Sequence, residues 1–598
     1  MRRFTADFET NVSEDDCRVW AYSICEIGDP ENFIYGNNIE DFINWCANKK
    51  ENYTLYFHNL KFDSEYIISF LLNNGYEVIK DKKERRDKTF TTVITDMGQF
   101  YALEIYFEVK KHKVNKVTIY DSLKLINKSV DDIAKDFDLN IRKLNLDYKR
   151  IRPEGYELQN YEIRYIQNDV KIMALALEEL FKENLNKMTI GSCALSNYRK
   201  MTKYFKTYFP ELPFEIDKDI RQSYKGGFTY LNPTYKEKVV HDVMVLDVNS
   251  LYPSVMVQFP LPHGMPLPFK GQYKEDKFYP LYVQQLSCTF KLKEGMIPTI
   301  QIKNNLQFLP NEYIESSKDE ILTLTLTNID LELFFRHYEV NVIAWHGGFK
   351  FQSVKGLFTN YIDYWTNNKI NAKKEGNKSL YQISKLMLNS LYGKMATNPI
   401  VRSKYPYLDE EGIVKYALYP EEQKKSLYIP VATFITSYAR RKTIETSQAI
   451  KEYTTDKYGE DYYIYSDTDS IHMRKLPKEE LEQFVEIDKY ELGKWDIEHD
   501  DIKTAKFLRQ KCYIEIDEGN NKNVTVAGLP KKLAKYVTIE NFKEGFSILK
   551  EDIEKDHKLT YKHVKGGVLL VDTDFSIKYN DNKRGSVKNE WFNSINSK

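Results

Sequence analysis

The chain is expected to be an α+β protein, because strand-like and helix-like apolar patterns are mixed along its whole length. Three segments carry the expectation. Asp461 to Met473 reads as strand, tight turn, strand. Val243, Val245 and Asp247 share one face of a strand that is expected to run to Pro253. Leu380, Ile383, Met387 and Leu391 recur at helical spacing and form one apolar stripe.

From the N-terminus, alternation puts Phe4, Ala6 and Phe8 on one strand face and Asp7 and Glu9 on the other. Asp-x-Glu by itself is usually a solvated strand edge. The apolar run Tyr53 to Phe57 leads into His58-Asn59-Leu60-Lys61-Phe62-Asp63. Tyr165 and Asp169 lie one turn apart on a helix whose apolar stripe continues through Met173, Leu177 and Leu180. On the helix of Leu380 to Leu391, the residues Tyr381, Lys385, Asn389 and Tyr392 fall opposite the stripe, within roughly 80° of arc, and Gly393 is its natural stop. Such a face suits a nucleotide, with charge for phosphates and a ring to stack on a base. A plain amphipathic surface helix would show the same pattern.

In Tyr465-Ser466-Asp467-Thr468-Asp469-Ser470 the two aspartates can project to one side of a hairpin. Carboxylates that close repel each other unless a cation lies between them, and hard divalent cations prefer oxygen ligands. Asp247, at the end of its own strand, supplies a third. A two-metal phosphoryl-transfer site needs such a set.

Taken in chain order, these strings resemble the motifs of family B DNA polymerases. Asp247 to Pro253 resembles motif A, Lys385 to Gly393 motif B, and Tyr465 to Ser470 motif C. The resemblance implies a right-hand fold of palm, fingers and thumb, DNA-directed nucleotidyl transfer, and paired Mg²⁺ ions in each active site, with Mn²⁺ able to substitute. It makes Asp247, Asp467 and Asp469 catalytic, and puts Asp247, Val248 and Asp469 on the metals. Val248, Tyr252, Lys369, Lys385, Asn389 and Tyr392 would contact the incoming dNTP. Lys369 is taken because it closely follows Trp365-Thr366; Lys373, Lys374 and Lys378 are the alternatives, carried to a finger tip if Gly376 breaks the helix. Ser466 stands where relatives often carry Cys or Gly, and should point away from the carboxylates. Tyr381 stands where relatives can carry Lys.

Asp7, Glu9, Asp63 and Asp169, with Tyr165, resemble the Exo I, II and III motifs of a 3′-5′ proofreading exonuclease of RNase H-like fold. By that resemblance all four acids are catalytic and bind metal, Tyr165 orients the attacking water, and Lys143 assists. His58, Asn59, Phe62, Ser122, Leu123 and Tyr148 would hold a frayed 3′ end.

The long segments between Pro253 and Trp365, including Lys291 to Lys303, and between Asn398 and Pro430, with a turn at Asp409 to Gly412, resemble the two insertions of protein-primed polymerases of small linear-genome bacteriophages. Tyr224-Lys225-Gly226-Gly227, Thr436 to Arg440 and Lys511-Cys512-Tyr513 match that group's linker and primer-binding motifs. They would make Tyr224, Gly226, Gly227, Thr436, Arg440, Lys511 and Tyr513 DNA contacts. The implied organisation is an exonuclease over 1–187, palm over 188–260 and 428–526, a first insertion that helps hold the priming protein over 261–357, fingers over 358–399, a second insertion hairpin over 400–427, and a thumb over 527–598. Leu418, Tyr419 and Tyr428 are expected to pack the hairpin onto the palm, where it would promote processivity and strand displacement. The implied partners are DNA template-primer, dNTPs and a terminal protein acting as primer, for a monomer in the cytoplasm of a host bacterium.

Lys plus Arg and Asp plus Glu number 87 each, so the chain lacks the basic excess common in nucleic-acid binders. The charge is uneven, however. Lys369 to Lys394 holds six lysines against the single acid Glu375, and Lys503, Lys506, Arg509 and Lys511 include no acid, so either run could track a phosphate backbone. The six cysteines show no metal-binding spacing and fit a reducing compartment. No apolar run reaches membrane-spanning length. Competing readings are a DNA-primed family B enzyme, a reverse transcriptase, which usually has adjacent aspartates, and a non-catalytic DNA-binding protein, which should have lost at least one of these carboxylates.

Overall fold

The computed structural model describes all residues except 1, 12, 49–50, 149, 302–312, 555–556 and 578–598. Ile302 and Lys303 of the first insertion, and 578–598 of the expected thumb, therefore lie outside the described residues. The rest form two compact units. One comprises Met1–Lys203, Asn360–Ser426 and Leu559–Val571; the other comprises Tyr204–Thr359, Leu427–Lys558 and the segment beginning at Asp572.

The first unit is built on a ten-stranded sheet. At its centre β1 (Arg3–Thr10) pairs antiparallel with β2 (Val19–Glu26), which pairs with β3 (Asp29–Gly36), and parallel with β4 (Tyr53–Phe57). Every residue of β4 is buried, the mark of a parallel strand covered on both faces. Helix α1 (Leu60–Asn73) follows, then β5 (Thr89–Thr95), β6 (Phe100–Lys110) and β7 (Lys113–Asp121), with β7 parallel to β4. Helix α2 (Asn160–Lys182) packs on β1 and β2, where the Thr5 hydroxyl donates to the Val170 carbonyl at 2.7 Å. Its stripe of Met173, Leu177 and Leu180 is buried. Helix α3 (Ile190–Met201) ends this stretch.

The second unit begins with β8 (Thr229–Leu231), β9 (Val239–Val248) and α4 (Leu251–Gln258). The expected strand through Pro253 therefore stops at Val248. Pro253 sits in the first turn of α4, where a helix has no internal use for an N–H. The first insertion forms its own sheet, in the order Pro260–Phe269, Tyr338–Lys355, Leu281–Leu292, Leu322–Thr327.

The chain returns to the first unit as α5 (Thr359–Glu375) and α6 (Lys378–Met395), separated at Gly376, whose φ of +72° is the left-handed conformation glycine favours. Ile383, Met387 and Leu391 are buried. Gly393 does not stop α6: Met395, four residues beyond Leu391, extends the buried stripe and keeps the helix going. The second insertion is a hairpin of β10 (Ser403–Leu408) and β11 (Val414–Leu418), and Ser403 and Lys404 pair with Thr95 and Ile94 of β5. The hairpin thus extends the amino-terminal sheet. Within the hairpin, Tyr419 packs on Tyr405 at 4.5 Å and Leu418 is exposed. Tyr428 belongs to the second unit, packed against Phe209 and bonded to the Gly264 carbonyl at 2.6 Å.

Back in the second unit lie α7 (Ile429–Tyr458), β12 (Tyr463–Asp467), β13 (Ser470–Arg474), β14 (Trp495–Arg509), β15 (Cys512–Asp517) and β16 (Lys522–Val526). They complete an antiparallel sheet in the order β16-β15-β14-β9-β13-β12-β8. A last hairpin, β17 (Lys558–Val564) and β18 (Gly567–Thr573), packs into the core of the first unit through Val564, Val568 and Leu569. No helix among the described residues is long and apolar enough to cross a membrane.

Candidate active sites

The first centre forms where β1 meets α1 and α2. One carboxylate oxygen each from Asp7, Glu9 and Asp169 lies within 4.8 Å of the others. Asp63, in the first turn of α1, is buried beside them, its Oδ1 accepting the Phe8 N–H at 3.3 Å. Lys143 Nζ bonds one oxygen of Asp169, while the other, Oδ1, is buried without a protein hydrogen-bond partner. A buried carboxylate oxygen left unpaired is costly, and a convergent set of oxygen donors is what a hard divalent cation takes. These residues fit a metal.

Electrostatics agree. Burial, then the Asp169 charge, pushes Asp7 from 3.8 up to about 7, against the pull of Lys143. Burial and then Asp7 push Glu9 and Asp63 well above the ordinary carboxylate range. Burial also raises Asp169, opposed by Lys143. Folded-state values above the unfolded ones mean that the folded protein binds more protons, so this cluster's contribution to stability falls as pH rises from about 4 to about 7. In chelator, Asp7→Asn with Glu9→Gln is therefore expected to melt about 1–2 °C above the parent at about pH 8, roughly what 1 kcal/mol gives for a unit of this size, with the gap closing towards about pH 4. A pH-independent difference in a thermal melt would contradict this origin.

The Tyr165 and Tyr148 hydroxyls are 2.7 Å apart, Tyr165 buried and Tyr148 exposed. Burial and then the nearby Glu9 charge hold both hydroxyls protonated. Asp121, which no sequence pattern singles out, organises the neighbouring loops: its Oδ1 accepts from the N–H groups of Asn59, Leu60 and Leu123 at 3.1, 3.3 and 3.0 Å. His58 and Ser122 are bonded within the protein. His58 Nδ1 lies 3.0 Å from the Ser122 hydroxyl and Nε2 2.7 Å from the Lys128 carbonyl, and Ser122 donates to the Phe57 carbonyl at 3.0 Å. Their polar groups are used inside the protein, so they brace the loop. Asn59 and Tyr148 are exposed, and Phe62 and Leu123 half-buried, where a strand end could reach them.

The second centre lies on the other unit's sheet. Asp247 pairs with Ser470 across β9 and β13, and the Val248 N–H donates to the Asp469 carbonyl at 2.8 Å, so Asp247 and Asp469 occupy neighbouring strand ends. Between β12 and β13, Thr468 has φ 65°; its N–H donates to the Phe228 carbonyl at 2.7 Å, and its carbonyl accepts the Thr443 hydroxyl at 2.7 Å. Gly227 packs under this turn, where any Cβ would lie 2.5 Å from the Thr468 hydroxyl, so only glycine fits. Gly226 faces open space, and Tyr224 is half-buried. Both oxygens of Asp467 accept from Lys511 Nζ at 2.8 Å. Burial, and then Asp467 and Glu498, push Asp469 upward.

Asp496, also absent from any motif, sits directly across from Asp247 on β14 and shares its sheet face. The donor set is carboxylate throughout and fits a hard cation, although among the described residues only Asp7, Glu9 and Asp169 bring three donor atoms within 4.8 Å. Val248 is buried and has no donor side chain, so only its carbonyl could reach a metal. Ser466 points inward, its hydroxyl 3.1 Å from Ser447 and 2.9 Å from Tyr463.

Tyr252 is half-buried in the first turn of α4. On α6, Lys385 and Asn389 are exposed and Tyr392 half-buried, opposite the apolar stripe. Burial, then Lys385 and Lys373, pull the Lys369 ammonium down, which places it beside them; Lys378 is paired with Asp138 at 2.9 Å. Two expected DNA contacts are interior. Arg440 is 2 % exposed, paired with Asp330 at 2.6 Å, and donates to the Lys225 and Gly226 carbonyls at 2.9 and 2.8 Å. Thr436 bonds carbonyls of its own helix. Arg440 therefore holds the 224–227 loop from behind. The basic run from Lys503 also divides: Lys503 is exposed, Lys506 is buried against the Ile539 carbonyl at 3.2 Å, and Lys511 holds Asp467. Tyr513 packs in a cluster with Tyr465, His472 and Phe507, 5.2–5.6 Å between rings.

Residues 46–487 match the family model described as DNA polymerase type B, organellar and viral. The DNA polymerase of Bacillus phage M2 is 43 % identical over 596 residues, covering 96 % of this chain and 100 % of that protein. The phi29 enzyme is 42 % identical over 597 residues, covering 96 % and 99 %. Solved structures of phi29 DNA polymerase superpose with TM-scores of 0.88 for an orthorhombic crystal form and 0.87 for a complex with primer-template DNA and incoming nucleotide, at 40 % and 41 % identity, each covering 96 % of this chain and 100 % of that one. Two carboxylate centres on two sheets, within a chain alike along nearly its whole length to phage DNA polymerases, place this protein in the organellar and viral branch of the type B DNA polymerases.

Proposed function

We propose that this polymerase is a replicative, protein-primed and strand-displacing enzyme that edits through its own 3′-5′ exonuclease. What carries the reading is the separation of the carboxylates into two centres, on two sheets of two compact units. Asp247 and Asp469, with the Val248 carbonyl, would hold the polymerising metals; Asp7, Glu9, Asp63 and Asp169 would hold those of the exonuclease. The ions, Mg²⁺ with Mn²⁺ as substitute, would lower the pKa of the attacking hydroxyl or water and neutralise charge on the leaving oxygen.

The chain's own residues do the rest. Lys511 fixes Asp467 and with it the hairpin that carries Asp469. Gly227 lets the linker loop support Thr468. Lys369 and Lys385 would bind the triphosphate, Asn389 and Tyr392 the nascent base pair, and Tyr513 the primer. At the editing centre Lys143 compensates one oxygen of Asp169, and the protonated Tyr165 and Tyr148 hydroxyls can hold a water by hydrogen bonds. The phi29 complexes with primer-template DNA and incoming nucleotide support the same substrates here. The chain would act as a monomer in a bacterial host's cytoplasm. The test is to follow primer extension, oligonucleotide degradation and addition of a first dNMP to a cognate terminal protein. Normal DNA-primed extension without protein nucleotidylation would place the enzyme in the DNA-primed branch.

Tyr252 should police the sugar, because its ring under the incoming nucleotide would leave no room for a 2′-OH. Tyr252→Val is expected to relax discrimination against ribonucleotides by about 10²-fold without changing the metal requirement. Unaltered dNTP-to-rNTP selectivity would reject that role. Deleting residues 401–424 should shorten products and impair strand displacement far more than single-nucleotide addition, since the hairpin lies on a different unit from Asp247 and Asp469. Full-length displacement synthesis by the deletion variant would exclude it.

A further inference from the structure

Helix α1 carries a buried carboxylate, Glu65, that neither centre uses; it is 2 % exposed. Segments far apart in the chain meet on it. Tyr416 of β11 donates its hydroxyl to Oε2 at 2.8 Å, and His563 of β17 places Nε2 3.2 Å from Oε1. The two rings lie edge-on, 6.0 Å apart. The next residue, Tyr66, donates to the Val568 carbonyl of β18 at 2.5 Å. The connecting turn comes in so close that a Cβ at Gly566 would lie 2.3 Å from the Cys17 carbonyl, and one at Gly567 2.5 Å from the Tyr66 ring. His563 Nε2 comes within ion-pair distance of Oε1 without completing a hydrogen bond, so this buried carboxylate is tied to the β10–β11 hairpin by the Tyr416 bond and to β17 by the close approach of His563.

The position of β17 matters because of Tyr561. Tyr561 and His563 are two apart on the strand and face the same way, towards α1. The Tyr561 ring is 6.3 Å from that of Phe62, Lys61 Nζ lies 4.9 Å from its centroid, and the Asn59 side chain neighbours its hydroxyl. Asn59, Phe62 and Glu65 recur along one side of the start of α1. A residue from near the C-terminus thus stands against two side chains expected to receive a 3′ end, half-buried and with an aromatic face of the kind on which single-stranded bases stack.

We propose that Glu65 is a positioning residue for editing, which through His563 and Tyr416 holds Tyr561 against Asn59 and Phe62 as a further surface for a single-stranded 3′ end. The proposal rests on the exonuclease reading above. Its test uses the full chain and a labelled single-stranded oligonucleotide, with affinity measured by anisotropy in chelator, KM and kcat measured for degradation, and single-dNMP addition as control. Tyr561→Ala should weaken binding and raise KM about tenfold, the lower end of what loss of one stacking platform gives, with kcat and dNMP addition nearly unchanged. Tyr561→Phe should restore most of the loss. Glu65→Ala should raise KM similarly and increase amide exchange in both hairpins; Tyr416→Phe should do so more weakly, and serves if Glu65→Ala does not fold. Unchanged affinity and KM in Tyr561→Ala would overturn the proposal, as would loosened hairpins with unchanged KM in Glu65→Ala or Tyr416→Phe. If the parent binds the oligonucleotide but never degrades it, while Tyr561→Ala binds it more weakly, the exonuclease reading fails and the surface stands.

Discussion

Replacing Asp247 or Asp469 with alanine is expected to abolish primer extension and leave single-strand degradation intact. The two acids occupy adjacent strand ends of β9 and β13, joined by the 2.8 Å bond from the Val248 N–H to the Asp469 carbonyl. Removing either takes away a ligand from a site whose chemistry is charge stabilisation, so a loss of at least about 10³-fold follows, the rate equivalent of roughly 4 kcal/mol. The carboxylates proposed to degrade DNA lie on another sheet in another unit, so they should not feel the change. Asp467 should behave differently. Both its oxygens are taken by Lys511, and Asp467→Asn should cost less than either alanine variant. Extension by Asp247→Ala or Asp469→Ala at more than a trace of the parent rate would falsify the assignment. An exonuclease activity that fell in parallel would point instead to misfolding.

Short-range patterns carried most of what was legible in the sequence. The β12–turn–β13 hairpin, the buried run of β4, and the stripe of α2 all follow from periodicity within a few residues. Local breakers misled. Gly393 reads as a stop, but burial of Met395 outweighs the roughly 1 kcal/mol that glycine costs within a helix. Pro253 reads as a strand end, yet its missing N–H is harmless in the first turn of α4.

The acids proposed as catalytic were legible because the chemistry proposed for them demands their type at close spacing. Their supports were not, because each pairs across a long stretch of chain. Arg440 is implied as a DNA contact by its motif, and its pairing with Asp330, 110 residues away, is invisible in the sequence. Asp121 binds backbone N–H groups about 60 residues distant, Asp496 becomes a neighbour of Asp247 only through strand register, and Glu65 meets Tyr416 and His563 only in the folded unit. No local pattern encodes such pairings.

Asp7→Ala combined with Glu9→Ala is expected to remove 3′-5′ degradation of a single-stranded oligonucleotide, by about 10³-fold or more, while polymerisation persists. Burial pushes Asp7, Glu9, Asp63 and Asp169 all upward, and neighbouring carboxylates add to it at Asp7, Glu9 and Asp63, so without a counter-charge the centre does not favour full ionisation near neutral pH. Lys143 supplies one positive charge and bonds only one oxygen of Asp169, leaving the other unpartnered. That is too little for four acids, and a divalent cation is the natural complement. Removing Asp7 and Glu9 deletes most of the ligand set and also relieves the repulsion, so the variant should lose activity without losing stability. That combination separates a catalytic role from a structural one, because deleting buried groups that merely held the fold together would lower the melting temperature. A double variant that still degrades the oligonucleotide, or one that is inactive only because it is unfolded, would remove Asp7 and Glu9 from the editing chemistry.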